Sequence, residues 1–416
     1  MGTWGKPLFG PAGTLGVWAA LTALILILVP AGSSNDLRAL WLAAEALQRD
    51  GAVYPQLAPA FTMSPPPEWM TAHPGETLYP YLYPPLWAVL ASSLVEIVAF
   101  ETFAWIARLL NAVFLAACPI LAWRISRSTL PLPVFAGIGL LALSQSFVGA
   151  IALMENQPQI LVSFLVLLAL ERQRSDACVL AGAALALAAA LKIYPVLFAL
   201  LWLATGARHA ATAFAITGGA LGAVSILVAG WPLHGAFLET LAMIGQSVLV
   251  TPLSYALAPA AVQLLAPELL TYHTVTDGGW LYGALPPFAV ILARVALLAA
   301  LGALALAMRR ADRDTRDALL WPAALVAVSL LSPLAWAYHY IPSVAFAPIL
   351  VDRLGPRRGG LLLLCVLVPI SPLPAGLALA WGLGAENLQI IGTFALLGLG
   401  ATYAAMALRA PRNLPA

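Results

Sequence analysis

Long apolar runs separated by short polar segments follow one another along the whole chain. Between consecutive basic clusters the pattern is an apolar run, a polar segment and a second apolar run, which is typical of a helical hairpin. Basic residues mark cytoplasmic helix ends, so the polar segments are expected at outer hairpin tips. The basic clusters lie at 124–127, 171–174, 207–209, 308–316, 352–358 and 408–412. The pattern predicts an all-α, polytopic membrane protein of about 11 to 13 transmembrane helices.

Composition supports this class of protein. Of the 416 residues, 62% are hydrophobic and 9% are charged, whereas soluble domains are roughly 45–50% apolar. The net charge of +2 does not favour nucleic acid as a partner. The 3 cysteines lie in or beside apolar segments without CxxC spacing, so neither a disulfide framework nor a metal site is predicted. We expect one integral membrane domain over 1–416.

Two long segments interrupt the hairpin pattern. Residues 32–85 are rich in Pro, Trp and Tyr and form a predicted first outer loop, in which an amphipathic helix over 37–50 lies on the membrane face. Residues 231–285 form a predicted second outer loop with partly inserted or re-entrant helices. The segment 86–100 is interpreted as either a short span or a tilted interfacial helix.

Three hairpin tips carry most of the polar residues outside these loops: 144–159, 191–195 and 332–342. The pattern of basic clusters places all three tips on the outer face, together with Asp36. Polar groups at membrane depth are costly and usually line a site or a pathway. The sequence therefore predicts that these tips converge on one site near the outer face.

Asp36 and Lys192 are the charged residues of greatest interest. Asp36 is either an N-cap of the following helix or a general base that accepts a proton from a sugar hydroxyl. Lys192 interrupts an apolar run, where an unpaired charge costs about 2.5–3.5 kcal/mol. It either extends to the interface or binds a lipid-linked phosphate, with Tyr194 as a hydrogen-bond donor to the same group.

The other tips allow similar pairs of interpretations. Trp336 and His339 belong either to an interfacial aromatic belt or to a site where a ring stacks on a sugar and His339 neutralises a phosphate. Glu155, Asn156 and Gln157 are either solvated or bind several hydroxyl groups. Gln246 is a weaker candidate of the same type.

Taken in order, the motifs resemble the series found in glycosyltransferase family 87, a family of the membrane-embedded GT-C superfamily. The resemblance is carried by "SNDLRALWLAAEALQRDGAVYP", "YLYPPLWAVL", "MENQPQILVSFLVLLAL", "LAGAALALAAALKIYPVLFALLWL" and "LLSPLAWAYHYIPSV". Two departures occur. The segment "ENQPQ" stands where many relatives have G-Q-x-N, and Tyr338-His339 stands where relatives often have paired His.

The resemblance implies a membrane hexosyltransferase with a GT-C-type fold and no cofactor. Such an enzyme transfers mannose or a related sugar from a polyprenyl-phosphate donor to a lipid- or glycan-linked acceptor. By the same resemblance Asp36 is the base of an inverting reaction, and Lys192 and His339 contact the donor phosphate. Trp41, Tyr83 and Trp336 are expected to form walls of the substrate groove, without an essential metal. The expected place is the outer face of a bacterial inner membrane.

Two other functions agree with parts of the sequence. A transporter or flippase of lipid-linked sugars would place polar groups through the membrane on both sides, often in inverted repeats, whereas here they lie towards one side. A polysaccharide ligase or polymerase would more often have a large outer loop with several arginines, and 231–285 contains none.

Overall fold

The computed structural model describes residues 10–54, 80–275, 278–381 and 387–410. Helices make up most of this part, so the prediction of an all-α protein is confirmed. The helices are α1 Pro11–Leu28, α2 Asn35–Asp50, α3 Pro85–Ser92, α4 Phe100–Ser126, α5 Leu132–Ser144, α6 Phe147–Met154, α7 Gln159–Arg174, α8 Cys178–Leu191, α9 Val196–Thr205, α10 Arg208–Ala229, α11 Trp231–Ile244, α12 Leu257–Leu265, α13 Pro287–Arg310, α14 Trp321–Leu330, α15 Ile341–Ala345, α16 Ile349–Leu367, α17 Pro372–Ala380 and α18 Asn387–Arg409.

Five of the described helices are long and apolar enough to cross a membrane, namely α1, α4, α10, α13 and α18. The number rises to 7 if each of two bent pairs is one span: α5 with α6, bent by 68°, and α16 with the start of α17, bent by 51°. Other predicted spans are shorter helices, such as α8 with 14 residues and α9 with 10. The sequence count of about 11 to 13 is higher because it takes each apolar run as a crossing.

Helix α4 is the most deeply buried of the five long helices, with 56% of its most apolar window inside the protein. It packs against α1, α5 and α7. Two side-chain hydrogen bonds attach α1: Trp18 Nε1 donates to the Val113 carbonyl at 2.9 Å, and Arg108 Nη2 donates to the Val29 carbonyl at 2.6 Å. Val29 directly follows α1, so Arg108 satisfies a carbonyl at the helix C-terminus.

The two ends of α4 mark opposite sides of the protein. Its 27 residues extend about 40 Å at 1.5 Å per residue. At the first end Phe100 packs edge-on against Trp41 of α2, with ring centroids 5.8 Å apart. At the other end Arg124 forms an ion pair of 3.0 Å with Glu171, near the end of α7. Helix α7 therefore runs alongside α4 in the same direction.

A small antiparallel sheet occupies part of the predicted second outer loop. Its strands are β1 Ser247–Val250, β2 Thr271–Val275 and β3 Gly278–Ala284, in the order β1-β3-β2. From the sequence we expected partly inserted or re-entrant helices in 231–285 and did not predict these strands, because a short apolar run does not distinguish a strand from a helix by periodicity. The segment that follows β1 contacts the third polar tip: the Ala337 N–H donates to the Leu253 carbonyl at 2.7 Å.

The predicted first outer loop is helical at its start. Helix α2 agrees with the amphipathic helix expected over 37–50, and its buried residues are all apolar. Residues 55–79 of this loop lie outside the described residues. The segment 86–100 contains only the 8-residue helix α3 followed by turns, so it is too short for a full crossing.

Candidate active site

Asp36 lies in the first turn of α2, directly after a sharp change in the course of the main chain. Ser34, the residue before the helix, has a φ of 58°, in the left-handed region. Ser34 occupies the N-cap position and Asp36 lies inside the first turn, so the structure does not show the capping role considered for Asp36. The side chain remains partly exposed and is therefore accessible to a reactant.

Glu155, from the turn after α6, holds the N-terminus of α2. One of its carboxylate oxygens accepts a hydrogen bond from the Asn35 backbone N–H at 2.8 Å, and the Ser33 hydroxyl donates to the same carboxylate at 3.2 Å. A carboxylate at a helix N-terminus satisfies a free N–H group and interacts favourably with the helix dipole. Glu155, predicted to bind substrate, thus fixes the turn that carries Asp36.

Asn156 connects the same turn to α4. Its side-chain amide donates to the Ser34 hydroxyl at 2.9 Å and to the Ala104 carbonyl at 3.0 Å, and its oxygen accepts from Asn111 at 3.2 Å. The residue is buried and has a φ of 49°. These contacts give Asn156 a structural position beneath Asp36 rather than an exposed one.

Gln157 and Tyr83 form a buried polar pair beside Asp36. The Tyr83 hydroxyl donates to Gln157 Oε1 at 2.5 Å, which orients the amide with its Nε2 as the remaining donor. This Nε2 has no hydrogen-bond partner at bonding geometry within the described residues. It is nevertheless near enough to lower the pKa of Asp36. Gln157 is thus a donor directed towards the carboxylate.

Lys192 lies in the break between α8 and α9 and keeps partial exposure. Its Nζ is 5.3 Å from the ring centroid of Tyr83 and 5.0 Å from that of Tyr338. Aromatic faces attract an ammonium group without neutralising its charge. Lys192 is therefore held between two rings, close enough to Asp36 for each to change the other's pKa.

Burial and neighbouring charges shift the pKa values of Asp36 and Lys192 towards neutral pH. Burial raises the pKa of Asp36 to about 7, and the charge of Glu155 adds to this effect, whereas Lys192 and the Gln157 amide oppose it. Burial lowers the pKa of Lys192 to about 7, against the opposing effect of Asp36. Burial also raises the pKa of Glu155, against the effect of its hydrogen bonds with Asn35 and Ser33. Ionisable groups whose pKa values are shifted in this way are typical of acid–base sites.

The second and third polar tips meet at Tyr194 and His339. Their rings pack edge-on with centroids 5.8 Å apart, and the Tyr194 hydroxyl accepts a hydrogen bond from Gln159 at 2.7 Å. His339 Nδ1 donates to the Trp336 carbonyl at 3.2 Å. Burial and then the charge of Lys192 hold the pKa of His339 well below its ordinary value. Neutral His339 with a proton on Nδ1 presents Nε2 as an acceptor.

The structure therefore brings most of the predicted residues into one group. Trp336 joins it through Tyr338, on which its ring stacks at 6.2 Å. Trp41 does not join the group through a ring contact; its ring packs against Phe100 at 5.8 Å and Phe103 at 5.3 Å. Gln246 is exposed in the turn between α11 and β1.

Sequence reasoning assigned no role to Tyr338 or Gln159, although both contact predicted residues. Tyr338 lies under the Lys192 ammonium, and Gln159 binds the Tyr194 hydroxyl. Each belongs to a polar tip that the sequence identified, so membership of a polar tip was the signal that could have pointed to these two residues. Which members of a tip turn towards the site depends on the helix breaks between them, and these are visible only in the structure.

The described residues contain no group of three His, Cys, Asp or Glu side chains that could hold a metal ion. The positive charge that affects the pKa of Asp36 is the Lys192 ammonium group.

Comparison with known proteins gives one family and one solved structure. The crystal structure of ArnT from Cupriavidus metallidurans bound to undecaprenyl phosphate is similar with a TM-score of 0.40 and 14% identity, over 96% of this chain and 78% of that chain. No curated protein matches the sequence. Residues 81–333, more than half of the chain, match Glycosyltransferase family 87. This range contains Gln157 and Lys192, whereas Asp36 and His339 lie outside it. The chain belongs to glycosyltransferase family 87 and is a membrane glycosyltransferase.

Proposed function

We propose that the protein transfers a sugar from a polyprenyl-phosphate donor to a hydroxyl group of a lipid- or glycan-linked acceptor, with Asp36 as the general base. The observation that supports this most directly is that Asp36 and Lys192, from segments far apart in the chain, are both partly exposed and each affects the pKa of the other. A carboxylate and a cation in one site are what this reaction requires.

Asp36 accepts the proton of the acceptor hydroxyl as its oxygen attacks the anomeric carbon. The bond between that carbon and the phosphate oxygen breaks, and polyprenyl phosphate leaves with the bonding electrons. Attack in line with the leaving group inverts the anomeric centre, so a β-linked donor gives an α-linked product. The pKa of Asp36, raised by burial to about 7, makes it a stronger base than an exposed aspartate.

Lys192 stabilises the charge that develops on the departing phosphate. The two rings beside its Nζ hold the ammonium in place without using its hydrogen-bond donors. A bound phosphate raises the pKa of Lys192 again and keeps it protonated. Tyr194 and His339 lie beside this position, and a phosphate also favours the protonated form of His339, which then donates through Nε2.

The donor sugar in this proposal is mannose or a related hexose, which follows from the resemblance to the mannosyltransferases of the family. We assign the site to the outer face of a bacterial inner membrane. The basic clusters at 124–127 and 171–174 mark the cytoplasmic side, and they lie at the ends of α4 and α7 that are opposite to the site.

The test uses protein in nanodiscs, radiolabelled polyprenyl-phosphate mannose and a total lipid extract. We expect label to move to a new product, and Asp36→Asn to reduce the rate by about 10² to 10⁴-fold. Glu45→Gln is the matched control because Glu45 is an exposed carboxylate on the same helix. Equal transfer by wild type and Asp36→Asn would remove Asp36 as the base. Absence of transfer from mannose, glucose and arabinose donors would contradict the proposed reaction and favour lipid-linked sugar transport.

A further inference from the structure

A charged cavity lies at the end of α4 that is farthest from Asp36. Its volume is about 320 Å³, and its lining residues are Trp123, Arg124, Arg127, Glu171, Arg174 and Ser175. These residues come from the ends of α4 and α7, where the basic clusters of the sequence lie. The site proposed for sugar transfer uses none of them.

The charges of this cavity are only partly neutralised. Arg174 is buried and pairs with Asp317 and, at 2.5 Å, with Asp314. Glu171 has a side chain only 3% exposed and is shared by two cations, Arg124 and Arg172. With Arg316, which also pairs with Asp317, four arginines share three carboxylates, which leaves one positive charge at this end of the protein.

Arg127 adds a further positive charge. Its side chain is exposed and forms no ion pair within the described ranges of the chain. The residue ends α4 with a φ of 47°, in the left-handed region that is common where helices end.

The wall of the cavity next to Arg127 is fixed by hydrogen bonds. Trp123 Nε1 donates to the Leu130 carbonyl at 2.9 Å. The Thr129 N–H donates to the Asp352 carboxylate at 3.2 Å, and the Thr129 hydroxyl donates to the same group. The turn that follows Arg127 is therefore attached both to α4 and to α16, so the guanidinium groups surround a defined space.

We propose that this cavity binds a phosphate group, carried either by an anionic lipid of the adjacent leaflet or by a soluble phosphorylated compound. Guanidinium groups bind phosphate oxygens through paired, charge-assisted hydrogen bonds. Arg127 and the outward part of Arg124, whose side chain is 49% exposed, supply these donors. Arg174 and Glu171 hold the site together rather than contact the phosphate.

The experiment measures binding of phosphatidic acid to the purified protein by native mass spectrometry, with a glucosyl diacylglycerol that lacks phosphate as the comparison lipid. Glycerol 3-phosphate is added as a soluble competitor. The variants are Arg127→Gln and Arg124→Gln. Arg358→Gln is the matched control, because Arg358 is an exposed arginine of α16, the helix attached to this end through Asp352. All variants keep Lys192, so phosphate bound at the proposed sugar-transfer site contributes equally to the binding measured for each of them.

We expect Arg127→Gln to weaken phosphatidic acid binding about tenfold, the loss of one charge-assisted contact, and Arg358→Gln to change it less than about twofold. Binding that resists glycerol 3-phosphate identifies the lipid as the source, and displacement by it identifies a soluble phosphate compound. Equal binding by wild type, Arg127→Gln and Arg124→Gln in both arms would overturn the proposal. Arg127→Gln keeps every ion pair described here, so this outcome does not depend on a folding defect.

Discussion

At the residue scale, the site contains two carboxylates with different environments. Glu155 accepts hydrogen bonds from Asn35 N–H and the Ser33 hydroxyl, which occupy its oxygens. Asp36 has no comparable set of donors; its neighbours are the Gln157 amide and the Lys192 charge. Two carboxylates whose surroundings differ in this way can divide their work, one as structural anchor and the other as base.

This division predicts a pH effect of Glu155→Gln. The amide retains an oxygen that accepts from Asn35 N–H but removes the negative charge that raises the pKa of Asp36. The acidic limb of the kcat/KM profile should therefore move to lower pH, because Asp36 ionises more readily. Glu155→Ala loses the hydrogen bonds as well and should reduce activity by about 10²-fold. An acidic limb that stays in place in Glu155→Gln would contradict the electrostatic role.

The state of Lys192 predicts a difference between two pH profiles. The proposed reaction requires ionised Asp36 and protonated Lys192, so activity should fall below and above neutral pH, near pH 7 for the free enzyme. The profile of kcat/KM reports the free enzyme and that of kcat the donor complex. Because the donor phosphate favours protonated Lys192, the basic limb of kcat should lie at higher pH than that of kcat/KM. Coincident basic limbs would remove Lys192 from the phosphate.

The identity of the polar residues could be predicted from sequence, but their roles could not. Lys192 and Asp36 stand out because a charge in or beside an apolar run is costly. The hydrogen bonds of Glu155 and Asn156 connect residues more than 40 positions apart, and nothing in the local pattern indicates them. Trp41, which the resemblance places in a wall of the substrate groove, packs against Phe100, and the local sequence pattern does not indicate this contact either.

At the scale of elements, the position of α2 depends on a close approach between the turn before it and the end of α6. A Cβ added at Gly32 would lie 2.5 Å from the Met154 carbonyl oxygen, and the Ser34 N–H donates to that oxygen at 3.2 Å. The turn therefore requires glycine at this place. Since Glu155 directly follows Met154, this one contact region positions both Glu155 and Asp36.

Gly32→Ala should accordingly displace the turn that carries Asp36. We expect a loss of unfolding free energy of about 1–3 kcal/mol, as for overpacking, and a reduction of kcat by about 10²-fold from misplacement of the base. Gly16→Ala is the control, because an added Cβ there meets nothing within 4 Å. Thermal unfolding and transfer assays measure the two effects. Wild-type activity in Gly32→Ala would show that α2 tolerates the displacement.

The breaks between elements were easier to predict than the elements themselves. Polar residues at 191–195 indicate the break between α8 and α9, because an apolar helix is interrupted there. The strands β1 to β3 were not predicted, since four to seven residues of mixed character satisfy neither helix nor strand periodicity decisively. The predicted count of about 11 to 13 spans exceeds the 5 to 7 found among the described helices by length and composition, because apolar composition indicates burial and a buried helix need not cross the membrane.

At the scale of the whole molecule, buried ion pairs hold the end opposite to Asp36. Arg174, with 5% of its side chain exposed, pairs with Asp317, with 2% exposed, and so joins α7 to the segment before α14. Removing one partner of a buried pair leaves an uncompensated charge.

Asp317→Asn should therefore reduce the free energy of unfolding by about 3–5 kcal/mol, measured by thermal unfolding in detergent. Asp314→Asn is the matched control: Asp314 pairs with the same Arg174 but is 59% exposed, so its loss should cost at most about 1 kcal/mol. A similar melting temperature for both variants would mean that water reaches the Arg174–Asp317 pair.

The candidate site is made from five parts of the chain: residues 33–36, Tyr83, and residues 155–159, 192–194 and 336–339. During synthesis these segments emerge one after another, and the last is made when about four-fifths of the chain has entered the membrane. Until then Lys192 lacks the Tyr338 ring and Tyr194 lacks the His339 ring. A ribosome-bound chain that stops short of this segment carries Asp36 and Lys192 without the completed site. In the proposed reaction, such an incompletely translated chain therefore transfers no sugar, and activity begins only after most helices have been made.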